Sequence, residues 1–92
     1  MATMDLCALV GGNVRRYRKA ARLSQEDVAH RAGLDRTYLS DIERGVANPS
    51  VNVLLGVAMV CGVHPAMLLL DEREAALVAQ ALGLAGVGAP PP

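Results

Sequence analysis

The sequence predicts an all-α protein of five helices with a short extra helix near the C-terminus. Apolar residues recur at three- and four-residue steps in several segments, and helix-capping residues and glycines separate those segments. No segment alternates polar and apolar residues as a half-exposed strand does. The 92 residues suit one small domain. Because small domains bury a modest fraction of their surface, we expect a second subunit to add stability.

The first predicted helix covers residues 5–21. Its apolar side chains follow helical spacing: Leu6, Leu9, Val10, Val14, Tyr17 and Ala21. Its other face is basic, with five Arg or Lys side chains between residues 15 and 22. A basic face of this kind is typical of a solvated helix or of a contact with phosphate, and we assign the phosphate role to Arg15 and Lys19. The other candidates for that role on this face are Arg16, Arg18 and Arg22.

Two short helices are predicted between Ser24 and Gly45, on either side of Gly33. Ser24 is a favourable N-cap, and its spacing to Asp27 permits a capping box in which the two residues satisfy each other's backbone N–H groups. Gly33 ends this helix because glycine accepts a left-handed conformation. Asp35 is the N-cap of the second helix, which ends at Gly45.

The second helix of this pair has two distinct faces. At 100° per residue, hydrogen-bonding side chains cover one side: Arg36, Thr37, Ser40, Asp41 and Arg44. Apolar side chains cover the other: Tyr38, Leu39 and Ile42. A polar-faced helix that follows a short helix across a tight turn is typical of a DNA-binding helix-turn-helix motif.

The fourth predicted helix is apolar on all sides. It follows the N-cap Ser50 and runs to Cys61, before Gly62. A helix of this kind must be covered on more than one side, and the rest of this short chain can hardly enclose it. We predict a self-complementary dimer contact, with a deep core helix of a monomer as the alternative. The predicted interface residues are Val53, Val57, Met59, Val60 and Met67.

A fifth helix is predicted from Pro65, whose missing N–H costs nothing at the first helical position, to about Leu70. The apolar spacing that follows indicates a sixth helix or a continuation of the fifth. The last residues are rich in Gly, Ala and Pro and cannot bury enough surface to become ordered. The predicted organisation is a helix-turn-helix DNA-binding domain over residues 1–70 with its motif at 24–45, a C-terminal helical extension over 71–82, and a disordered tail over 83–92.

Four runs of residues occur together along the chain: Ser24 to Ala29, Ala32 to Leu34, Tyr38 to Gly45 apart from position 41, and Asn48 to Ser50. In this order they resemble the Cro/repressor-type, or Xre, helix-turn-helix family. The resemblance extends from about Val14 to Leu70. The run from Gly33 to Ser40 is especially similar to controller proteins of restriction-modification systems. The resemblance implies a lambda-repressor-like fold.

The resemblance also implies roles for individual residues. Four side chains match positions that contact base edges: Arg36, Thr37, Ser40 and Asp41. Four others match positions that contact the DNA backbone: Ser24, Gln25, Tyr38 and Arg44. Asp41 has an alternative role, since phosphate repels a carboxylate and Asp41 can orient an arginine instead, and Tyr38 has the alternative of partial burial. An internal ion pair between Arg18 and Glu43 is implied as well.

The predicted function is sequence-specific DNA binding by a transcriptional regulator, as a homodimer on a near-palindromic operator. We expect the regulator to be a repressor or, as the resemblance implies, a restriction-modification controller. Residues 1–50 carry a net charge of +2 and residues 51–92 a net charge of −2, so the motif lies in the basic half. Val46 and Ala47 stand where many relatives carry basic residues, which predicts weak binding by one subunit. The alternative function is an antitoxin or adaptor whose fourth helix binds a toxin or other protein.

Several classes of function are excluded on composition. No acid, base and nucleophile are spaced for catalysis, so we predict no enzymatic activity and no small-molecule substrate. Cys7 and Cys61 are too few for a disulfide framework and are expected to be free thiols in a reducing cytoplasm. With only His30 and His64 beside them, the ligands for a tetrahedral metal site are lacking, and we predict no metal and no cofactor. No apolar run is long enough to span a membrane.

Overall fold

The computed structural model describes residues 5–83, which form five α-helices and one 3-10 helix, without strands in that range. The elements are α1 (Leu6–Ala20), α2 (Gln25–Ala32), α3 (Arg36–Glu43), α4 (Val51–Cys61), the 3-10 helix (Pro65–Leu69) and α5 (Glu72–Ala81). The predicted all-α class is confirmed. Most of the tail that is expected to be disordered, residues 84–92, lies outside the described residues. Residues 1–4 lie outside them as well.

Local capping sets the boundaries of α2 and α3. The Ser24 hydroxyl accepts from the Asp27 N–H at 3.0 Å, and the Asp27 carboxylate accepts from the Ser24 N–H at 3.0 Å. Gly33 closes α2 at a φ of 70°. The Asp35 carboxylate then accepts from the Thr37 N–H at 2.8 Å to start α3. The turn between the two helices is therefore specified by residues within it, as the sequence predicts.

Helix α1 packs its apolar face on three other elements of the domain. It packs against α3, the 3-10 helix and α4, while α2 packs against α3 and α4. The largest fully buried side chains form one core: Val14, Tyr17, Val28, Leu39, Ile42, Val57, Met67 and Leu68. The apolar face predicted for α3 accordingly lies in this core, with Tyr38 half-buried at its edge.

Gly11 allows α1 and α3 to approach closely. A Cβ atom at this position would clash with the carbonyl oxygen of Ile42 and lie 2.8 Å from that of Glu43. These carbonyls belong to the last turn of α3, which cannot move without disturbing its core residues. The neighbouring Gly12 is exposed and has no atom within 4 Å of such a Cβ. Only the first of the two glycines is required by packing.

The expected fifth helix is a 3-10 helix that ends at Leu69, before the predicted Leu70. His64 caps its start by accepting from the Ala66 N–H at 3.1 Å, and Pro65 occupies its first position. Its carbonyls turn towards α1, where the side-chain amide of buried Asn13 donates to Leu68 O at 2.9 Å and to Leu70 O at 2.8 Å. This satisfaction of C-terminal carbonyls by a side chain stabilises a tight, short helix in place of a longer α-helix.

Two of the predicted interface residues lie in the core of the single chain. Val57 has no exposed surface and Met67 is 2% exposed, so neither is available to a second subunit. The prediction was wrong for them because α4 has one well-covered side, which faces α1, α2 and the 3-10 helix. Val53 and Val60 are half-buried, and Met59 is 70% exposed.

The extra C-terminal helix is present as α5 and is separate from the fifth element. Asp71 begins it with a capping box to Glu74. Ala75 is buried against the core, and Glu72 forms an ion pair with Arg16 of α1 at 3.2 Å. Among residues 5–83, no helix is both long and apolar enough to cross a membrane.

Candidate nucleic-acid interface

The four side chains expected to contact bases lie together on one surface. Arg36, Thr37, Ser40 and Asp41 line a shallow polar depression, and Arg44 and Gln25 complete its rim. Arg36 and Thr37, in the first turn of α3, are exposed, and Ser40 and Asp41 are half-exposed one turn later. The depression therefore presents hydrogen-bonding groups from the N-terminal part of α3, beside the first residue of α2.

Asp41 faces Arg44 across one turn of α3. The carboxylate and the guanidinium are 3.6 Å apart, and both side chains are substantially exposed. An exposed ion pair of this kind contributes little to stability, but it restricts where the Arg44 side chain points. This geometry favours the alternative role for Asp41, that of orienting an arginine.

The side chain of Gln25 is hydrogen-bonded to the C-terminal end of α3. Its side-chain amide donates to Glu43 Oε1 at 3.1 Å. The same carboxylate accepts two hydrogen bonds from Arg18, from Nε at 2.6 Å and from Nη2 at 2.9 Å. The hydrogen bond that Arg18 donates to the Glu43 carboxylate raises the pKa of Arg18 above its ordinary value. The implied ion pair is thus present, and it links α1, α2 and α3 through one buried carboxylate.

The remaining backbone candidates differ in how freely they can reach a phosphate. Arg15 and Lys19 are exposed on α1. The Ser24 oxygen accepts the capping hydrogen bond from Asp27, and its hydroxyl group also hydrogen-bonds the Asp27 carboxylate, so a contact with phosphate would have to replace that second bond. Tyr38 is half-buried and packs against the core, which favours the partial-burial alternative while leaving part of the ring at the surface.

The N-terminal turn of α2 carries a fixed negative charge next to these groups. Asp27 accepts hydrogen bonds from the backbone and side chain of Ser24, and these lower the pKa of its carboxyl group. Asp27 is therefore ionised at neutral pH and cannot contact phosphate favourably. In this turn Ser24 and Gln25, rather than Asp27, stay as the candidates for a contact with phosphate.

Three residues that position this surface were not recognised in the sequence. Gly11 fixes the approach of α3, Asn13 holds the 3-10 helix, and Arg16 stacks 4.7 Å over the Tyr17 ring while donating to the Tyr17 hydroxyl at 3.1 Å. Gly11 had a detectable signal, since a glycine within a helical apolar pattern often marks close packing. Asn13 had none, because the carbonyls that it binds are distant in sequence, and the same holds for the ion pair of Arg16 with Glu72.

The cysteines and histidines do not assemble into a metal centre. Within residues 5–83, no three His, Cys, Asp or Glu side chains come close enough together to hold an ion. Cys61 is buried in the core, and this burial raises the pKa of its thiol to about 11. Its packing is that of a small apolar residue.

Comparisons with known proteins agree with this geometry. A family model described as helix-turn-helix matches residues 14–68. The chain is 45% identical over 71 residues to an uncharacterized HTH-type transcriptional regulator of Sinorhizobium fredii, covering 77% of this chain and 92% of the relative. It is 40% identical over 68 residues to the control protein C.BamHI of Bacillus amyloliquefaciens, covering 73% and 84% of the two chains.

A solved structure extends the comparison to the fold. The restriction-modification controller protein C.AhdI from Aeromonas hydrophila superposes with a TM-score of 0.65 at 37% identity, covering 67% of this chain and 94% of that one. The matched family region contains α2, α3 and α4 in full, and so includes the polar depression. The chain belongs to the helix-turn-helix family of DNA-binding transcriptional regulators.

Proposed function

We propose that this regulator binds a near-palindromic operator as a homodimer and acts as a repressor or a restriction-modification controller in the cytoplasm. The observation that carries the proposal is the grouping of Arg36, Thr37, Ser40 and Asp41 in one exposed polar depression on α3. In a helix-turn-helix complex the N-terminal residues of the second helix enter the major groove. The exposed surface of α3 has the matching polarity and position.

Each side chain in the depression suits a particular partner. Arg36 donates two hydrogen bonds to O6 and N7 of a guanine, and Thr37 offers a hydroxyl group and a methyl group to a thymine. Ser40 accepts from or donates to a base edge, and Asp41 directs Arg44 towards the backbone. The proposed phosphate contacts are Ser24, Gln25, Tyr38, Arg44, Arg15 and Lys19.

The dimer contact is proposed on the exposed side of α4. Val51, Leu55 and Met59 follow each other at four-residue steps and are 81%, 43% and 70% exposed. Three large apolar side chains aligned along an α-helix form a ridge that a second copy can cover. Half-buried Val53 and Val60 lie about 100° or more around the helix from Met59, outside this ridge. A two-fold dimer would place two α3 helices about 34 Å apart, one turn of DNA.

The test is selection of bound duplexes from a random DNA pool at two salt concentrations, in parallel for the wild type and Arg36→Ala. We expect the wild type to enrich a near-palindrome and the variant to lose preference at one base pair in each half-site. A pool that is not enriched, or that is enriched identically by both proteins, contradicts the proposal. Thr37→Ala provides a matched variant, for which the loss should fall at a different base pair.

The exposed ridge on α4 also favours a second candidate, an adaptor or antitoxin that binds a toxin or other protein. The two candidates predict different assemblies when the protein is isolated at native levels from its own host. If the protein is a homodimer, it is isolated as a single species of twice the chain mass. A protein-binding module instead retains a stoichiometric partner that Met59→Glu releases. Neither candidate assigns a catalytic role to the chain.

A further inference from the structure

Arg22 has an unfavourable backbone conformation. It is the one non-glycine residue between 5 and 83 with a positive φ, at 60°. The other positive-φ residues in that range are glycines, including Gly33 and Gly62, which close α2 and α4. A side chain in the left-handed region brings Cβ close to the following carbonyl, a cost that glycine avoids.

The surrounding chain enforces this conformation. The Arg22 N–H donates to Lys19 O at 3.0 Å, and the Leu23 N–H donates to Arg18 O at 3.1 Å, as at a helix end that reverses direction. The carbonyl of Leu23 accepts from Arg18 Nη1 at 3.0 Å, and Arg18 is held by Glu43. The turn is therefore anchored on both sides of Arg22 by contacts that do not involve its side chain.

The fold makes little use of the guanidinium group of Arg22. The residue is exposed and forms no ion pair with any residue from 5 to 83. Glycine at this position would relieve the backbone strain, and no ion pair within residues 5–83 would be lost. The positive φ serves to close α1, which glycine would do at lower cost, so nothing in the fold of residues 5–83 requires an arginine here. Residues held in sparsely populated backbone conformations are found preferentially at functional sites.

The position of Arg22 indicates the use. It lies in the turn between Lys19, at the end of α1, and Ser24, the N-cap of α2, both of which are proposed phosphate contacts. We propose that Arg22 is a further contact to the DNA phosphate backbone. The turn is then less stable than it would be with glycine at this position, and in exchange it carries a positive charge. This inference rests on the DNA-binding function proposed above.

Three variants separate charge from conformation. Arg22→Gln removes the charge and keeps the strain, Arg22→Gly removes both, and Arg22→Lys keeps both. Arg73→Gln, on exposed α5, makes the same change in net charge far along the chain and serves as the control. Affinity for the selected duplex is measured by fluorescence anisotropy across a salt series, and the melting temperature by circular dichroism.

Arg22→Gln and Arg22→Gly should each weaken binding about fivefold to tenfold per subunit near 0.1 M salt, and lower the slope of log K against log salt by about 0.9 per subunit. Arg22→Lys and Arg73→Gln should retain the wild-type slope. Arg22→Gly should melt a few degrees above Arg22→Gln. A wild-type slope for Arg22→Gln, or no gain in melting temperature for Arg22→Gly, overturns the inference. If the wild type itself selects no operator, the proposed function fails instead.

Discussion

Arg18 and Glu43 form a two-pronged ion pair, at 2.6 Å and 2.9 Å, across the interface between α1 and the C-terminal end of α3. The side chains are 11% and 3% exposed, so the pair is shielded from solvent. Gln25 donates to the same carboxylate, which brings the first residue of α2 into the arrangement. Together with the core packing, this one carboxylate therefore helps to orient both helices of the motif relative to α1.

Removal of the buried carboxylate should therefore be costly. In Glu43→Ala, Arg18 keeps only its bond to Leu23 O and remains buried and unpaired, so we expect a loss of about 3 kcal/mol or more in the free energy of unfolding. The control is Glu72→Ala, which breaks the exposed ion pair with Arg16 and should cost about 1 kcal/mol or less. Urea unfolding measures both, and equal losses would contradict the buried pair's role.

The two adjacent glycines of α1 should respond oppositely to alanine. Gly11→Ala places a methyl group against the carbonyls of Ile42 and Glu43, and the backbone shift should destabilise the fold by about 1–3 kcal/mol or more. Gly12→Ala meets no neighbour and should stabilise the helix by about 0.5–1 kcal/mol. Thermal melting of the two variants provides the measurement. A stabilised Gly11→Ala would show that α1 and α3 do not approach this closely.

A charge on the exposed ridge of α4 should dissociate the proposed dimer. Met59→Glu would bury an unpaired carboxylate at the contact, and we expect the dimer dissociation constant to rise at least tenfold, about 1.4 kcal/mol. Val46→Glu is the matched control, because Val46 is similarly exposed, at 65%, but lies in the loop after α3. Sedimentation equilibrium without DNA gives both constants. A dimer unaffected by Met59→Glu would move the contact away from this ridge.

Alkaline pH should destabilise the fold through Cys61. Burial raises the pKa of its thiol from 9.0 to about 11, so the folded state disfavours the thiolate relative to the unfolded chain. The resulting stability is present below pH 9 and is lost as the pH rises through 11. Two pKa units correspond to roughly 2.7 kcal/mol.

The control for this pH effect is Cys61→Ala, which has no ionisable group at the site. Its advantage or disadvantage relative to the wild type should be constant up to about pH 8 and should then shift in its favour towards pH 11. Burial also raises the pKa of Tyr17, but Tyr17 is present in both proteins and cancels in the comparison. A difference in unfolding free energy that is independent of pH would indicate that the thiol titrates normally.

Much of the candidate DNA-binding surface was predictable because its determinants are local. The polar and apolar faces of α3 follow from helical geometry, and Ser24, Asp27 and Gly33 bound α2 through contacts within a few residues. The grouping of Arg36 with Ser40 then follows from their spacing along one helix. The dimer residues were less predictable, since hydrophobicity alone does not distinguish Val57, in the core, from Met59, at the surface.

The sequence by itself determined where most helices begin and end, which side of α3 is polar, and the family to which the chain belongs. These properties depend on capping, helical period and residues close together in the chain. Only the tertiary structure decided that Gly11 allows α3 to pack closely on α1, that Asn13 hydrogen-bonds the carbonyls of the 3-10 helix and that Arg22 lies in a strained turn. Each of these depends on atoms or backbone geometry that the folded chain alone brings together. A glycine in a helical apolar pattern indicates close packing, but the pattern does not identify the helix that approaches.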